Sequence, residues 1–286
     1  VKALFGLLFW CTSMITVFAA SPPYVVPTTM IDVINHLGLQ ASLKLCLDAG
    51  DLNSYSGSGQ TWNDLSGGGY NFNRGTTTSS EASDPTFNGT AGRQSSGEYF
   101  SYDGGDWFTI TAQPSWADAF HQANAQFTVA MAIYLSGVTS TAVNFGDIGD
   151  IGGSGALTGF GLGSAAHSLR AYTVQINNAS TPIYFKASSN LAVNNAWNFL
   201  AVSVDIQNGN VLFQINGATE TYTGQSYSGS PVAGAANSVL QVGALGGGYL
   251  PDATGTRYGN VSMWSRALSG AELVSLYNAT KGKFGF

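Results

Sequence analysis

The sequence predicts an all-β sandwich with one short helix near each end. Three observations carry this expectation. Charged residues fill only 9% of the 286 positions, against roughly 25% in an average soluble protein. Glycine is abundant, at 37 residues, and Ser, Thr and Asn are frequent; a many-stranded protein needs such residues at its turns, whereas a helical one wants more Glu, Lys, Arg and Ala. Finally, two stretches at opposite ends, Leu43–Gly69 and Arg257–Ala279, read as the first and last strands of one sandwich.

Before the sandwich lie two segments. In residues 1–20 a single lysine precedes an apolar run, and Val17-Phe18-Ala19 offers a small-residue cleavage site. This fits a secretory signal; as a membrane span it is interrupted by Thr12, Ser13 and Thr16. The other reading is a start assigned too early, with Met14 or Met30 as the true start. In residues 21–42, Pro22, Pro23 and Pro27 make an extended linker. Thr29 then caps a short helix with Asp32 at its third position; Met30, Ile31, Val33, Ile34 and Leu37 form its apolar face, and Gly38 ends it. So short a helix is unstable alone and must dock on the sandwich.

The sandwich domain occupies residues 43–286. Leu43, Leu45 and Leu47 fall on one face of its first strand, and Lys44, Cys46 and Asp48 on the other. Further strands are expected at Glu98–Tyr102, Trp107–Thr111, Gln126–Leu135, Ala142–Asp147, Gly159–Gly163, Leu169–Ile176, Ile183–Ala187, Trp197–Asp205, Val211–Asn216, Thr219–Thr223, Val239–Gly243 and Tyr258–Trp264. Asn208-Gly209 and Asn216-Gly217 are hairpin signals, so 197–223 reads as a three-stranded meander. A second helix starts at the Ser269/Glu272 capping box, with Leu273, Leu276 and Tyr277 as its buried stripe. Residues 66–97, 148–166 and 224–237, rich in Gly, Ser, Thr and Ala, read as loops.

The net charge of −6 and ten scattered basic residues exclude nucleic acid as a partner. Cys11 and Cys46 alone give neither a disulfide framework nor zinc spacing.

Leu45-Cys46-Leu47-Asp48-Ala49-Gly50 and Trp62-Asn63-Asp64-Leu65-Ser66-Gly67 resemble the opening of the concanavalin A-like lectin/glucanase superfamily, in its laminin-G-like branch. Phe100–Ile110, Gln126–Met131, Trp197–Val202, Leu212–Gly217 and Gly259–Ser275 continue the resemblance in order. It covers about residues 43–286, is similar in type to domains of phage and prophage structural proteins, and implies a two-sheet antiparallel jelly-roll sandwich that often binds glycans, sometimes with calcium. It does not imply catalysis.

The glucanase members carry Glu-x-Asp-x-x-Glu on one strand, which aims two carboxylates into a cleft; this sequence has no such run. Glu98, Asp103 and Asp106 read instead as part of a turn. Asn144, Asp147 and Asp150, in a glycine-flexed loop, could supply oxygen ligands to calcium, though their spacing matches no dedicated calcium loop and a polar loop with turn-forming Asp explains them better. Trp62, Trp107, Trp116, Tyr172, Tyr184 and Tyr249 could stack on sugar rings; the competing role of strand aromatics is to fill the core. Tyr172 and Tyr249, beside long polar loops, together with Asn144, are the candidate ligand-binding residues.

The functional expectation is a non-enzymatic virion or prophage structural protein, a capsid decoration, fibre or tail component on the particle surface, that adheres to a glycan or cell-surface polysaccharide. It needs no cofactor apart from candidate calcium at Asp147 and Asp150, and works beside other virion proteins or as a homo-oligomer. The alternative is a secreted bacterial lectin-like surface protein. A glycan-degrading enzyme would need a carboxylate pair that the sequence does not offer.

Overall fold

The computed structural model describes residues 28–122, 124–136, 146–150, 159–165, 168–177, 182–186, 192–221, 224–226, 238–248 and 251–286, with the backbone alone at 164–165, 168–177, 182–186 and 224–226. Residues 1–20, including the signal-like segment, lie outside this set. None of the helices among the described residues is long and apolar enough to cross a membrane.

The strands in chain order are β1 (Leu43–Asp48), β2 (Thr61–Trp62), β3 (Phe72–Arg74), β4 (Thr86–Asn88), β5 (Tyr99–Ser101), β6 (Phe108–Ile110), β7 (Gln126–Leu135), β8 (Ile148–Gly149), β9 (Phe160–Ala165), β10 (Ser168–Asn177), β11 (Pro182–Lys186), β12 (Ala196–Asp205), β13 (Asn210–Ile215), β14 (Ala218–Thr221), β15 (Gly224–Ser226), β16 (Gln241–Val242) and β17 (Arg257–Trp264). Two helices, α1 (Met30–His36) and α2 (Gly270–Phe284), flank them. The first sheet runs β14-β13-β12-β7-β17-β5-β4, and β1 also pairs with β17. The second runs β15-β11-β10-β9-β8-β16-β6-β3-β2.

The closing strand holds the opening one. Leu43 to Asp48 pair antiparallel with Trp264 to Asn260, while Arg257 and Tyr258 at the start of β17 pair with Ser101 and Phe100. Between the sheets, alternation sends one side chain in two into a continuous core. Trp62, Phe100 and Phe108 form its aromatic centre, with centroids 4.8–4.9 Å apart. A 3-10 turn, Ala117–His121, adds Phe120, stacked on Phe127 at 4.5 Å.

The opposite phase of the first sheet is also apolar. Cys46, Ala130, Phe199, Ala201 and Trp264 form a second cluster with Met30, Val33 and Ile34 of α1 and Leu273 and Leu276 of α2. Thr29 caps α1 by accepting from the Asp32 N–H, and α2 carries the full Ser269/Glu272 capping box. The docking of α1 is fixed by one polar contact, the Met30 N–H to Asp48 Oδ2 at 2.8 Å.

Segments expected to be loops hold short strands: β3 and β4 lie within 66–97, β8 within 148–166 and β15 within 224–237, while β9 matches the strand expected at Gly159–Gly163. Strands of two or three residues exist because neighbours supply their ladder bonds, so local composition carries little sign of them. The two hairpin signals also differ. Asn216 and Gly217, at φ 50° and 91°, make a two-residue turn with both residues left-handed. At the other, residues 206–209 form a longer loop closed by Gly209 N–H to the Ile206 carbonyl, with Gly209 at φ 66°.

Candidate functional site

The sequence-expected residues scatter. Tyr249 and Asn144 lie outside the described residues. The backbone of Tyr172 lies in β10 opposite Ser164. Asp147 and Asp150 are 3% and 0% exposed. Asp150 accepts the Phe160 N–H at 2.8 Å and Gln113 Nε2 at 3.0 Å; burial pushes its carboxyl up to about 8. Asp147 sits four residues away along the neighbouring strand, packed over Gly163, whereas Asp150 lies against Gly159. Four residues of strand span roughly 13 Å. This placement does not fit one calcium ion held by both carboxylates.

Asp147 instead faces Asp252, which the sequence did not single out. The Asp147 N–H donates to Asp252 Oδ1 at 3.1 Å, and the Tyr258 hydroxyl donates to Asp252 Oδ2. Burial and the neighbouring Asp252 charge push the Asp147 carboxyl well above the usual range. Burial raises Asp252 to about 6 against the hydrogen bonds it accepts from Tyr258 and from the Asp147 backbone. Asp147 Oδ2 has no hydrogen-bond partner among the described residues. Both carboxylates are buried, which suits the pair to holding a proton. Nearby, Asp103 and Asp106 form the expected turn: the Asp103 N–H donates to Asp106 Oδ2 at 2.8 Å, and Gly105 N–H to Asp103 Oδ1 at 3.0 Å.

The outward face of the second sheet carries a polar row. Thr61, Asn73, Thr109, Gln241, Gly149 and Gly161 stand side by side across successive strands. A glycine-rich loop roofs it. Gln241 Nε2 donates to Thr109 Oγ1 at 2.9 Å, while Gln241 Oε1 accepts the Gly248 N–H at 2.8 Å. A Cβ on Gly149 would meet the Leu245 carbonyl at 3.1 Å. With Asn73, Thr109 and Gln241 at most 9% exposed, this part of the face is closed.

A cavity of about 210 Å³ lies between the helices and the first sheet, lined by Met30, Val33, Gln94, Asn260 and Lys283. Its cation is already engaged: Lys283 Nζ reaches Asp48 Oδ1 at 3.0 Å and Gln94 Oε1 at 2.9 Å.

A partly exposed row lies at the end of the first sheet where α2 ends. There Trp197, Tyr134, Arg257, Ser101 and Thr86 stand in register across five strands, β12, β7, β17, β5 and β4. Their neighbours Ile133, Phe100 and Tyr258 point inward and are fully buried, so alternation turns this row outward. None of the five is buried, and Tyr99 joins them from β5. The Arg257 guanidinium lies over two rings, 4.2 Å from the Tyr134 centroid and 4.9 Å from that of Tyr99. Trp197 meets both tyrosines edge-on at 5.9 Å and packs against Phe284 at 4.8 Å. Phe284 reaches that position because residue 259 is glycine; a Cβ there would lie 2.4 Å from its ring. Asn88 Nδ2 donates to Ser101 Oγ at 3.0 Å, extending the polar end of the row. At a spacing of ~4.8 Å per strand the row spans ~19 Å, enough for a short oligosaccharide. Trp62, by contrast, is core, and Trp116 packs on Tyr70 and Phe120. Phase alone did not mark this row: Tyr134 shares the phase of Ala130, and Trp197 that of Phe199 and Ala201, all buried beneath the helices.

No protein-family model matches this sequence, and neither does the sequence of any curated protein. Solved structures do match in fold. The binding domain of botulinum neurotoxin serotype G is 16% identical, with a TM-score of 0.56 over 83% of this chain and 51% of that one. Botulinum neurotoxin type C, whose uptake into cells depends on two ganglioside molecules, is 16% identical, with a TM-score of 0.53 over 85% of this chain and 52% of that one. Domain 4 of AbnA, a GH43 extracellular arabinanase of Geobacillus stearothermophilus determined with arabinotriose, is 14% identical, with a TM-score of 0.52 over 83% of this chain and 98% of that one. The chain spans about half the length of the toxin chains and about a third of the Trypanosoma rangeli sialidase chains it also matches. The two antiparallel sheets and these neighbours show a two-sheet antiparallel β-sandwich fold.

Proposed function

We propose that this chain is a non-enzymatic, lectin-like module that holds a glycan across the partly exposed row at the end of its first sheet. One observation carries the reading: the outward row of Trp197, Tyr134, Arg257, Ser101 and Thr86. The apolar face of a pyranose packs on aromatic rings while hydroxyls, amides and a guanidinium bond its OH groups. The row offers both kinds of group in one line and is fixed in place by strand pairing. Two fold neighbours motivate the ligand class, since arabinanase domain 4 holds arabinotriose and type C neurotoxin interacts with gangliosides.

The carrier of the module is a virion or prophage particle, where it decorates a capsid or forms part of a fibre or tail in the laminin-G-like manner. Low charge and abundant Gly, Ser, Thr and Asn suit an exposed, repeated module, and repeated copies compensate for weak single-sugar contacts. The apolar segment near the N-terminus favours a second reading, a secreted bacterial lectin-like surface protein. In neither case does the reading require a cofactor.

A glycan array run with and without calcium tests this proposal, followed by titration of the best ligand into Trp197→Ala and Tyr134→Ala. Each substitution is expected to weaken binding at least tenfold with the fold intact. Silence across the array, or binding that both variants retain, overturns the proposal. Antibody labelling of purified particles decides between virion display and secretion.

A further inference from the structure

Arg257 is placed unlike the other cations whose contacts are described. Arg266 Nη2 meets Glu272 at 2.8 Å and its Nε donates to the Ala41 carbonyl. Lys283 is engaged by Asp48. Arg74 donates to the carbonyls of Pro85 and Gly59. Lys281 reaches Asn278. Arg257 meets the rings of Tyr99 and Tyr134 and has no carboxylate or carbonyl partner among the described residues. Among the described residues, its five N–H donors meet no acceptor.

The tyrosines also fix the guanidinium plane. A stacked, half-buried arginine has lost much of its rotamer freedom before any ligand arrives, and its rigid fork matches a carboxylate with two parallel hydrogen bonds. The protein as a whole carries a net charge of −6, so its overall field repels anions. A cation kept free of acidic neighbours on such a surface gives local recognition, not general attraction. The adjacent groups suit a sugar: Trp197 and the two tyrosines offer ring faces, and Ser101, Asn88 and Thr86 offer hydroxyl and amide partners along the same row.

We infer that the row on the first sheet selects saccharides bearing a carboxylate, with Arg257 gripping the acid group and Trp197 and Tyr134 carrying the ring beside it. This deepens the glycan-binding proposal and rests on it. Arg257 is the specificity-determining residue in this arrangement; the aromatic residues supply binding that acidic and neutral sugars share.

The experiment compares oligogalacturonate with size-matched neutral oligogalactose by titration calorimetry at two salt concentrations. The variants are Arg257→Gln, Arg257→Lys and, as a charge control, the exposed Arg93→Gln. Wild type is expected to bind the acid form at least tenfold more tightly than the neutral form. Arg257→Gln should abolish that preference by weakening binding of the acid form at least tenfold more than binding of the neutral form, and Arg257→Lys should restore only part of it, because an ammonium is a point charge without the fork. Arg93→Gln should keep the preference. Equal affinity for both sugars in wild type, or equal losses for both in Arg257→Gln, overturns the inference while leaving glycan binding standing. Binding of neither sugar, together with a silent array, overturns both proposals.

Discussion

The two sheets present alternating strands outward and cover them in opposite ways. On the first, the outward row of Cys46, Ala130, Phe199, Ala201 and Trp264 is apolar and lies beneath two helices. On the second, Thr61, Asn73, Thr109 and Gln241 are polar, and a glycine loop lies over them, bonded through Gln241. Apolar surface is removed from water by packing alone, so a helix stripe suffices. Buried polar groups need partners, and a loop that exposes backbone N–H groups can supply them. The difference also locates the candidate site: α2 ends at Phe284, packed on Trp197, and there Trp197, Tyr134 and Arg257 are only partly buried.

The sharpest way to break the contrast is to remove the anchor of the helix-covered face. Trp264 is fully buried and its Nε1–H donates to the Leu39 carbonyl at 2.7 Å. Trp264→Ala is expected to cost about 3–5 kcal/mol, read as a lowered urea midpoint with loss of α1 and α2 signal. On the second sheet, Gly163→Ala would place a Cβ 1.7 Å from Asp147 Oδ1. It should cost about 1–3 kcal/mol by overpacking and loosen residues 146–150, which hydrogen exchange would register.

The two regions should also respond oppositely to pH. Around the second sheet, burial raises Asp150 to about 8 and Asp106 and Asp252 to about 6, and Asp147 is raised as well. In the unfolded chain such groups ionise near pH ~4. Their contribution is therefore fully present below that value and is lost as pH rises through 6 to 8. Glu272, at the start of α2, behaves in reverse: its hydrogen bond from Arg266 lowers it to about 2. Its contribution is present above its unfolded value and is lost as pH falls towards 2. Asp147→Asn should flatten the alkaline decline in melting temperature and leave the acid limb unchanged. An unaltered alkaline limb would remove Asp147 as its source. The smallest effect is expected from Gln241→Ala. It removes the bonds to Thr109 and Gly248, should cost about 1 kcal/mol, and should speed proteolysis within 244–248 without moving the helix-covered face.

Much of the architecture was legible locally. The Thr29 and Ser269 caps, the long strand Gln126–Leu135 and the opening and closing strands follow from side-chain period and cap chemistry. The three-residue strands β3, β4 and β15 were not legible, because their pairing depends on neighbours far away in sequence. Asp252 was overlooked because it is 105 residues from Asp147, and nothing in its own segment sets it apart from a turn residue. The aromatic candidates show the same limit: Trp62 proved to be core, whereas Tyr134 and Trp197, in strands the sequence did show, went unnoticed.

The sequence by itself determined the β class, the order of the long strands, the two helix starts and the acidic, charge-poor character of the surface. These depend on composition, alternation and caps within a few residues of each other. Tertiary structure alone decided which strands are neighbours. It therefore decided that Arg257 stands between Tyr134 and Ser101, that Asp147 meets Asp252, and that Phe284 at the end of α2 meets Trp197. Side-chain phase is written along one strand, but what lies beside it on a sheet is set by long-range pairing.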